Sequence, residues 1–197
     1  MTSSLPGLRE RKKAKTRAAI REAAMSLFEE RGYDSTTVEQ IAEAAEVSPS
    51  TFFRYFPTKE DVVLEDDWDA PMAAAVRSQP PEVPALEALV AGMRSVVDTA
   101  TPADWAAERR RQRLFYEVPE LRARYLQQLT AAIDLFAGVL AERAGKSEPD
   151  LESRAIAGAF IGVAMAIMPQ EMGMVEPGDL DRFEQALVLL RKSLSPR

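Results

Sequence analysis

Tyr33-Asp34-Ser35-Thr36-Thr37-Val38-Glu39-Gln40-Ile41-Ala42-Glu43-Ala44-Ala45-Glu46-Val47-Ser48-Pro49-Ser50-Thr51-Phe52-Phe53-Arg54-Tyr55-Phe56-Pro57-Thr58-Lys59-Glu60 holds three helix starts in twenty-eight residues. Thr36 followed by Glu39 reads as a capping box, in which each side chain reaches the other's free amide. Ser48 before Pro49 reads as an N-cap with proline at the first helical position, where its missing N–H is not needed. Thr58, ahead of Lys59, Glu60 and Asp61, starts the third, its acids suiting the positive end of a helix. The first two helices, at about 37–44 and 49–55, have about two turns each and are too short to persist alone. Val38, Ile41, Ala42, Ala45, Val47, Phe52 and Phe56 therefore need a preceding helix to bury against, and that is how a helix-turn-helix is built.

The preceding helix is expected from about Arg11 to Arg31, with Ile20, Ala23, Ala24, Leu27 and Phe28 on one face and Gly32 as its stop. A helix-turn-helix offers the start of its second helix to the major groove. Here that edge is Pro49, Ser50, Thr51, Phe53, Arg54 and Tyr55. Ser and Thr hydroxyls reach bases or phosphates, Pro49 and Thr51 suit a thymine methyl, and Arg54 suits a guanine or a phosphate. The competing assignments are Phe53 and Tyr55 as core residues and Ser50 and Thr51 as simple capping residues.

Charge supports the nucleic-acid assignment once it is divided along the chain. The net charge is -6, yet residues 1–21 carry seven Lys/Arg (Arg9, Arg11, Lys12, Lys13, Lys15, Arg17, Arg21) against Glu10 alone. Residues 61–197 carry fifteen Lys/Arg against twenty-two acids. Such an asymmetry orients a protein on a polyanion; by itself the basic run also fits a solvated tail. The chain has no cysteine and no histidine. Thiolate metal sites, Ser-His catalysis and Cys-His catalysis are thereby excluded. The longest apolar run, Ala155 to Met168, has fourteen residues, short of a bilayer span. Without an apolar leader after the polar N-terminus, a cytoplasmic protein is expected.

Nearly every segment repeats at helical spacing, so the fold class is all-α. One helix is expected from Thr58 to about Val76, and Pro80, Pro81 and Pro84 break the chain after it. Further helices are expected at 84–98, 103–116, 119–143, 149–168 and 179–194. The domain boundaries are set at 1–60 for the head, with a basic arm at 1–10, 61–80 for a connecting helix and 81–197 for a helical body.

These residues resemble the TetR family of one-component regulators. The resemblance is carried by the basic lead-in, Leu27-Phe28-Glu29-Glu30-Arg31-Gly32-Tyr33, Thr36-Thr37-Val38-Glu39-Gln40-Ile41-Ala42, and Val47-Ser48-Pro49-Ser50-Thr51-Phe52-Phe53-Arg54-Tyr55-Phe56 with Thr58-Lys59-Glu60. It implies a three-helix DNA-binding head and a helical body that binds a small ligand and forms a homodimer. By position it implies DNA contacts from Thr37, Pro49, Ser50, Thr51, Phe53, Arg54, Tyr55 and Lys59, a palindromic operator, repression, and release by a small-molecule inducer. One departure stands out: many members have glycine in the turn where this chain has Glu46, and a side chain at positive φ costs about 1 kcal/mol, so the turn is expected to be either strained or differently shaped.

In the body, Ala155, Gly158, Ala159 and Gly162 form a small-residue face. With Leu180, Phe183, Leu187 and Leu190 they read as a dimer interface; the alternative is tight packing within one chain. Arg109, Arg110, Arg111 and Arg113 read first as a solvated, acid-paired face. A sharper reading turns Arg109 or Arg113 inward to fix an anionic head group. Trp68, Met72, Met93, Trp105, Phe115, Phe136, Phe160 and Met165 would then line an apolar pocket for an amphipathic or acyl-CoA-like ligand, or simply form core. No cofactor or metal is expected, nor any membrane partner. Two other functions compete: an enzyme built on Glu65, Asp66 and Asp67 or on Glu117 and Glu120, and a non-specific architectural DNA protein. The acidic body opposes the second.

Overall fold

The computed structural model describes residues 7–65, 68–167 and 178–194. Among them are ten helices and no strand, so the all-α expectation holds. The chain divides into two compact units, residues 1–65 and 66–197.

The N-terminal unit holds α1 (Leu8–Arg31), α2 (Val38–Ala44), α3 (Pro49–Tyr55) and α4 (Asp61–Leu64). Buried in this unit are Ile20, Ala24, Leu27 and Phe28 of α1, Ile41 and Ala42 of α2, Phe52 of α3 with Phe56 at its end, and Val62, Val63 and Leu64 of α4; α1 packs on α2 and α4, and α2 on α3. Arg17 and Arg21 pair with Glu65 at the end of α4, and Arg17 also covers the Phe56 ring, 4.7 Å from its centroid.

The C-terminal unit holds α5 (Asp69–Ser78), α6 (Ala85–Thr99), α7 (Pro102–Glu117), α8 (Pro119–Arg143), α9 (Leu151–Ile167) and α10 (Asp179–Leu194). Its core draws Met72 and Val76 from α5, Leu89 from α6, Phe136 and Leu140 from α8, Phe160 from α9, and Phe183 and Leu187 from α10. The α5 and α6 backbones approach closely at Gly92. A Cβ there would stand 2.5 Å from Val76 Cγ2 and 3.1 Å from the Met72 carbonyl oxygen. The loop after α5 is held by one side chain: Arg143 donates to the carbonyls of Val76 at 3.0 Å, Gln79 at 2.5 Å, Pro80 at 2.9 Å and Val83 at 3.1 Å. The three prolines prevent this loop from pairing its carbonyls within a helix, and the guanidinium fork supplies the donors instead.

Two expectations are corrected. The helix expected to run unbroken from Thr58 to Val76 is two helices, α4 ending at Leu64 with Glu65 extended (ψ 121) and α5 starting at Asp69. Pro71 is the reason. Inside a continuous helix it would remove a bond and clash with the carbonyl four residues back, whereas in the first turn of α5 it costs little. The compact units accordingly part after Glu65, not at the expected boundaries around 60 and 80. Residues 1–6 of the expected arm, Asp66, Asp67 and Met168 lie outside the described residues.

Replacing Arg143 by Met keeps the stem and removes four donated bonds. An Arg143→Met variant is expected to lose about 2 kcal/mol of stability, on the scale of hydrogen bonds to a charged group partly offset by water, measured by urea unfolding; an unchanged midpoint would show that the loop carbonyls are equally well served by solvent.

Candidate nucleic-acid interface

The loop before α2 is ordered by threonines. Thr36 is buried and donates its hydroxyl to the Gly32 carbonyl at 2.9 Å and, more weakly, to the Leu27 carbonyl at 3.3 Å. Thr37 forms the capping box: its hydroxyl accepts from the Gln40 amide at 3.3 Å, and the Gln40 side-chain oxygen accepts from the Thr37 amide at 3.0 Å. The expected box of Thr36 with Glu39 is therefore displaced by one residue. The hydroxyl of Thr36 serves α1 instead.

The turn between α2 and α3 closes as a Schellman motif. Val47 N–H donates to the Ala42 carbonyl at 2.9 Å and Glu46 N–H to the Glu43 carbonyl at 3.0 Å, with Glu46 at φ 54. The same two-bond pattern ends α8, from Lys146 to Ala141 and from Gly145 to Glu142, but there the left-handed residue is Gly145 at φ 69. Of the two expected outcomes, a strained turn and a differently shaped one, the structure has the first: Glu46 is left-handed in a turn of the same bond pattern as that at Gly145.

Ser48 caps α3, accepting from the Thr51 amide at 3.1 Å, with the Ser50 and Thr51 hydroxyls 2.9 and 3.0 Å from its own. Phe52 and Phe56 are fully buried, so α3 can turn only one way. Its other edge is open: Pro49, Ser50 and Arg54 are exposed, Phe53 is 50% exposed, and Thr51 and Tyr55 are half-buried. Arg54 lies over the Tyr55 ring at 5.4 Å. Phe53 is thus a surface residue and not core, while Ser50 and Thr51 do take part in the cap. Thr37 is exposed at the start of α2. Lys59 is turned inward: its ammonium donates to the carbonyls of Tyr33 at 2.9 Å and Thr36 at 3.1 Å and stands 4.0 Å from the Tyr33 ring centroid. In this structure Lys59 ties α4's approach to the loop before α2, and its expected phosphate contact falls to a proposal.

In the body, the expected ligand residues separate into groups. Met72, Phe136 and Phe160 belong to the main core, with Met93 packed against it. Trp68 and Trp105 meet edge to face at 4.9 Å, and Phe115 stacks on Tyr125 at 4.6 Å. Met165 is 41% exposed. The inward arginine is neither Arg109, which is half-buried, nor Arg113, which is exposed, but Arg111. Arg111 donates twice to Glu108, both at 2.8 Å, and buried Gln112 donates to the same carboxylate at 2.7 Å. Sequence reasoning missed this group, although Glu108 three residues before Arg111 and four before Gln112 is a helical pairing signal.

The expected dimer face is also redistributed. Ala155 and Gly162 are exposed, Gly158 and Ala159 half-buried, and no atom lies within 4 Å of a Cβ built at Gly158 or Gly162. Phe183 and Leu187, expected on the same interface, are buried in the chain's own core, with Phe183 against Phe160 at 4.9 Å. The apolar residues that α10 leaves outward are Val188 and Leu189, 42% and 65% exposed, with Leu190 half-buried.

A capped helix-turn-helix in one unit and an all-helical body in the other are the architecture of a DNA-binding regulator. The family model of bacterial regulatory proteins of the tetR family matches residues 20–65, and that of the MftR C-terminal domain matches residues 83–195. The chain is 35% identical to the HTH-type transcriptional regulator TcmR of Streptomyces glaucescens, over 98% of its own length and 90% of that protein's. Thermus thermophilus FadR, a TetR-family repressor crystallised with lauroyl-CoA, is similar in structure with a TM-score of 0.53 and 27% identity, over 92% of this chain and 96% of that one. NalD of Pseudomonas aeruginosa, the secondary repressor of an efflux pump, has a TM-score of 0.52 at 20% identity over 91% of this chain and 96% of its own, a likeness of fold alone. The chain belongs to the TetR family of transcriptional regulators, a family of regulators and not of enzymes. Among the described residues no helix is long and apolar enough to cross a membrane.

Because Glu46 sits where Gly145 shows the unstrained solution, Glu46→Gly is expected to raise stability by about 0.5–1 kcal/mol, the relief at positive φ exceeding the added chain entropy of glycine. Thermal unfolding of the full chain checks this, and a lowered midpoint would show that the Glu46 side chain stabilises the turn by other means.

Proposed function

We propose that this chain is a sequence-specific repressor that binds a palindromic operator as a homodimer and leaves it when a small amphipathic molecule occupies the body. The observation that carries the DNA reading is the exposed edge of α3, Pro49, Ser50, Phe53 and Arg54, backed by fully buried Phe52 and Phe56. Thr37, Thr51 and Tyr55 complete the contact set, and Lys59 joins it only if DNA draws its ammonium from the Tyr33 and Thr36 carbonyls. Such a regulator works in the cytoplasm, where its DNA is.

Support for an acyl-chain ligand comes from FadR, whose crystal structure holds lauroyl-CoA, and from the amphipathic make-up of the body. The polar anchor assigned to the ligand is Arg111 with Gln112, replacing Arg109 and Arg113; an anionic head group takes this place by displacing the Glu108 carboxylate that now accepts from both. The apolar part falls to Trp68, Trp105, Met93 and Phe115. Release follows if the ligand favours a body conformation whose paired heads no longer match the half-sites, and the shift cannot exceed its differential affinity for the two states. The homodimer is assigned to the open α9 face, Ala155, Gly158, Ala159 and Gly162, with Val188 and Leu189 in place of Phe183 and Leu187.

Selection of bound fragments from a random duplex library yields the operator, and lauroyl-CoA and laurate are then titrated against the complex. Arg54→Ala is expected to weaken operator binding by about 1–3 kcal/mol and relax preference at one position if it reads a guanine; a uniform loss over all sequences assigns it to phosphate, and no loss removes it from the interface. Failure of both lipids to shift the melting temperature or release DNA would end the acyl-ligand reading and leave the regulator standing. Leu189→Glu is expected to convert a dimer to a monomer in sedimentation velocity, and a variant that still sediments as a dimer would place the interface elsewhere.

A further inference from the structure

We propose that the open groove between α6 and α10 is a second small-molecule site of the body, one that takes an amphipathic organic cation. Both the place and the ligand class go beyond the function proposed above, because none of Arg111, Gln112, Trp68, Trp105, Met93 and Phe115 lines this groove. Its volume is about 420 Å³, inside the range of roughly 300–1,000 Å³ in which small molecules bind.

The groove follows from a pattern that the two helices share. α6 carries Glu87, Val90, Ala91 and Arg94, and α10 carries Glu184, Leu187, Val188 and Arg191. Each set is an acid, an apolar pair one turn on and an arginine one turn further, a spacing that puts all four on one helix face. Arg94 pairs with Glu184 and Arg191 with Glu87, so the helices run antiparallel and an ion pair closes each end. The apolar residues, with Leu86, form the floor between. The ends lie seven residues apart on either helix, roughly 10 Å.

The two ends differ in charge, and that difference selects the ligand. Arg191 and Glu87, 3.6 Å apart, bring one charge of each sign. At the other end Arg94 donates through Nε to Glu184 at 3.1 Å. Its guanidinium is held above the usual arginine range by Glu184 first, and further by Asp98 and Asp181. Three carboxylates against one guanidinium leave an excess of two negative charges. Asp98 and Asp181 are exposed and make no ion pair among the described residues, while Arg182 is turned to Asp179 at 3.1 Å. An anionic head group is repelled at this end and an ammonium is attracted. The chain behind the ammonium covers half-buried Leu86, Val90 and Ala91 and exposed Val188, removing apolar surface from water. A second copy of this chain is the competing occupant, since Val188 also belongs to the proposed subunit contact. A helix about 10–12 Å across, however, fills roughly 900 Å³ over this length, about twice the groove.

Titration calorimetry of the full-length protein with octyltrimethylammonium, octanoate and octanol tests the site, and the cation is expected to bind best. An Asp98→Asn/Asp181→Asn variant weakens the cation about three- to ten-fold, the scale of two exposed charge pairs, and leaves octanol unchanged. Ala91→Phe fills the floor and abolishes cation binding, with the melting temperature of the free protein showing that the fold is kept. Should Ala91→Phe fail to fold, the aspartate variant, altered only at exposed positions, decides alone. Equal affinity for the three amphiphiles, or unaltered cation affinity in the aspartate variant, overturns the proposal. Conversion of a dimer to a monomer by Ala91→Phe in sedimentation velocity also overturns it, giving the groove to the second copy. The lipid titration of the operator complex reads a different site, so the acyl-ligand reading stands or fails separately.

Discussion

The burial of Phe52 and Phe56 is the constraint on which the head depends. A seven-residue helix has no stability of its own, so α3 exists because these two rings, both fully enclosed, remove a large apolar area from water inside the head. Burying a ring is worth about 1.5–3 kcal/mol, and the two together exceed the roughly 1 kcal/mol typical of a single cap. The rings are four residues apart and share one face of the helix, which fixes its rotation as well as its position. The exposure of Pro49, Ser50, Phe53 and Arg54 follows from that anchoring.

Elements with a strong local signal were legible in the sequence. The N-cap at Ser48, the exposed edge of α3 and the positive φ of Glu46 all follow from chemistry that acts within four residues. The capping box before α2 was legible only to within one residue, because Thr36 with Glu39 and Thr37 with Gln40 both satisfy the pattern. What decided between them was tertiary: carbonyls at Gly32 and Leu27 lay within reach of the Thr36 hydroxyl. The break between α4 and α5 was missed although Pro71 signals it, since a proline fits the first turn of a helix and not its interior.

The body was less legible, for a physical reason. Helices α9 and α10 carry apolar residues on more than one side, so periodicity identifies a helix without saying which stripe meets the chain's own core. Phe183 and Leu187 have the same chemistry as Leu189, and only the packed structure turns the first two inward. The arginine run behaved alike. Four cations within five residues look equivalent on paper, yet successive side chains on a helix are about 100° apart, and Arg111 alone is buried, held by both carboxylate oxygens of Glu108.

Stability and recognition are thus carried by different side chains of the same short helix. Phe52 and Phe56 hold α3 in place, whereas Phe53, half exposed, and Arg54 face outward. Residues of the second kind can change without unfolding the head, which lets one scaffold read different sequences. Glu46 belongs to neither group. Its left-handed conformation opposes folding slightly, but the two Schellman bonds it permits close α2 within one turn of the start of α3. Relaxing it to an extended conformation would break both bonds and alter the angle between α2 and α3. The strain is therefore the local consequence of a turn whose shape orients the DNA-facing edge.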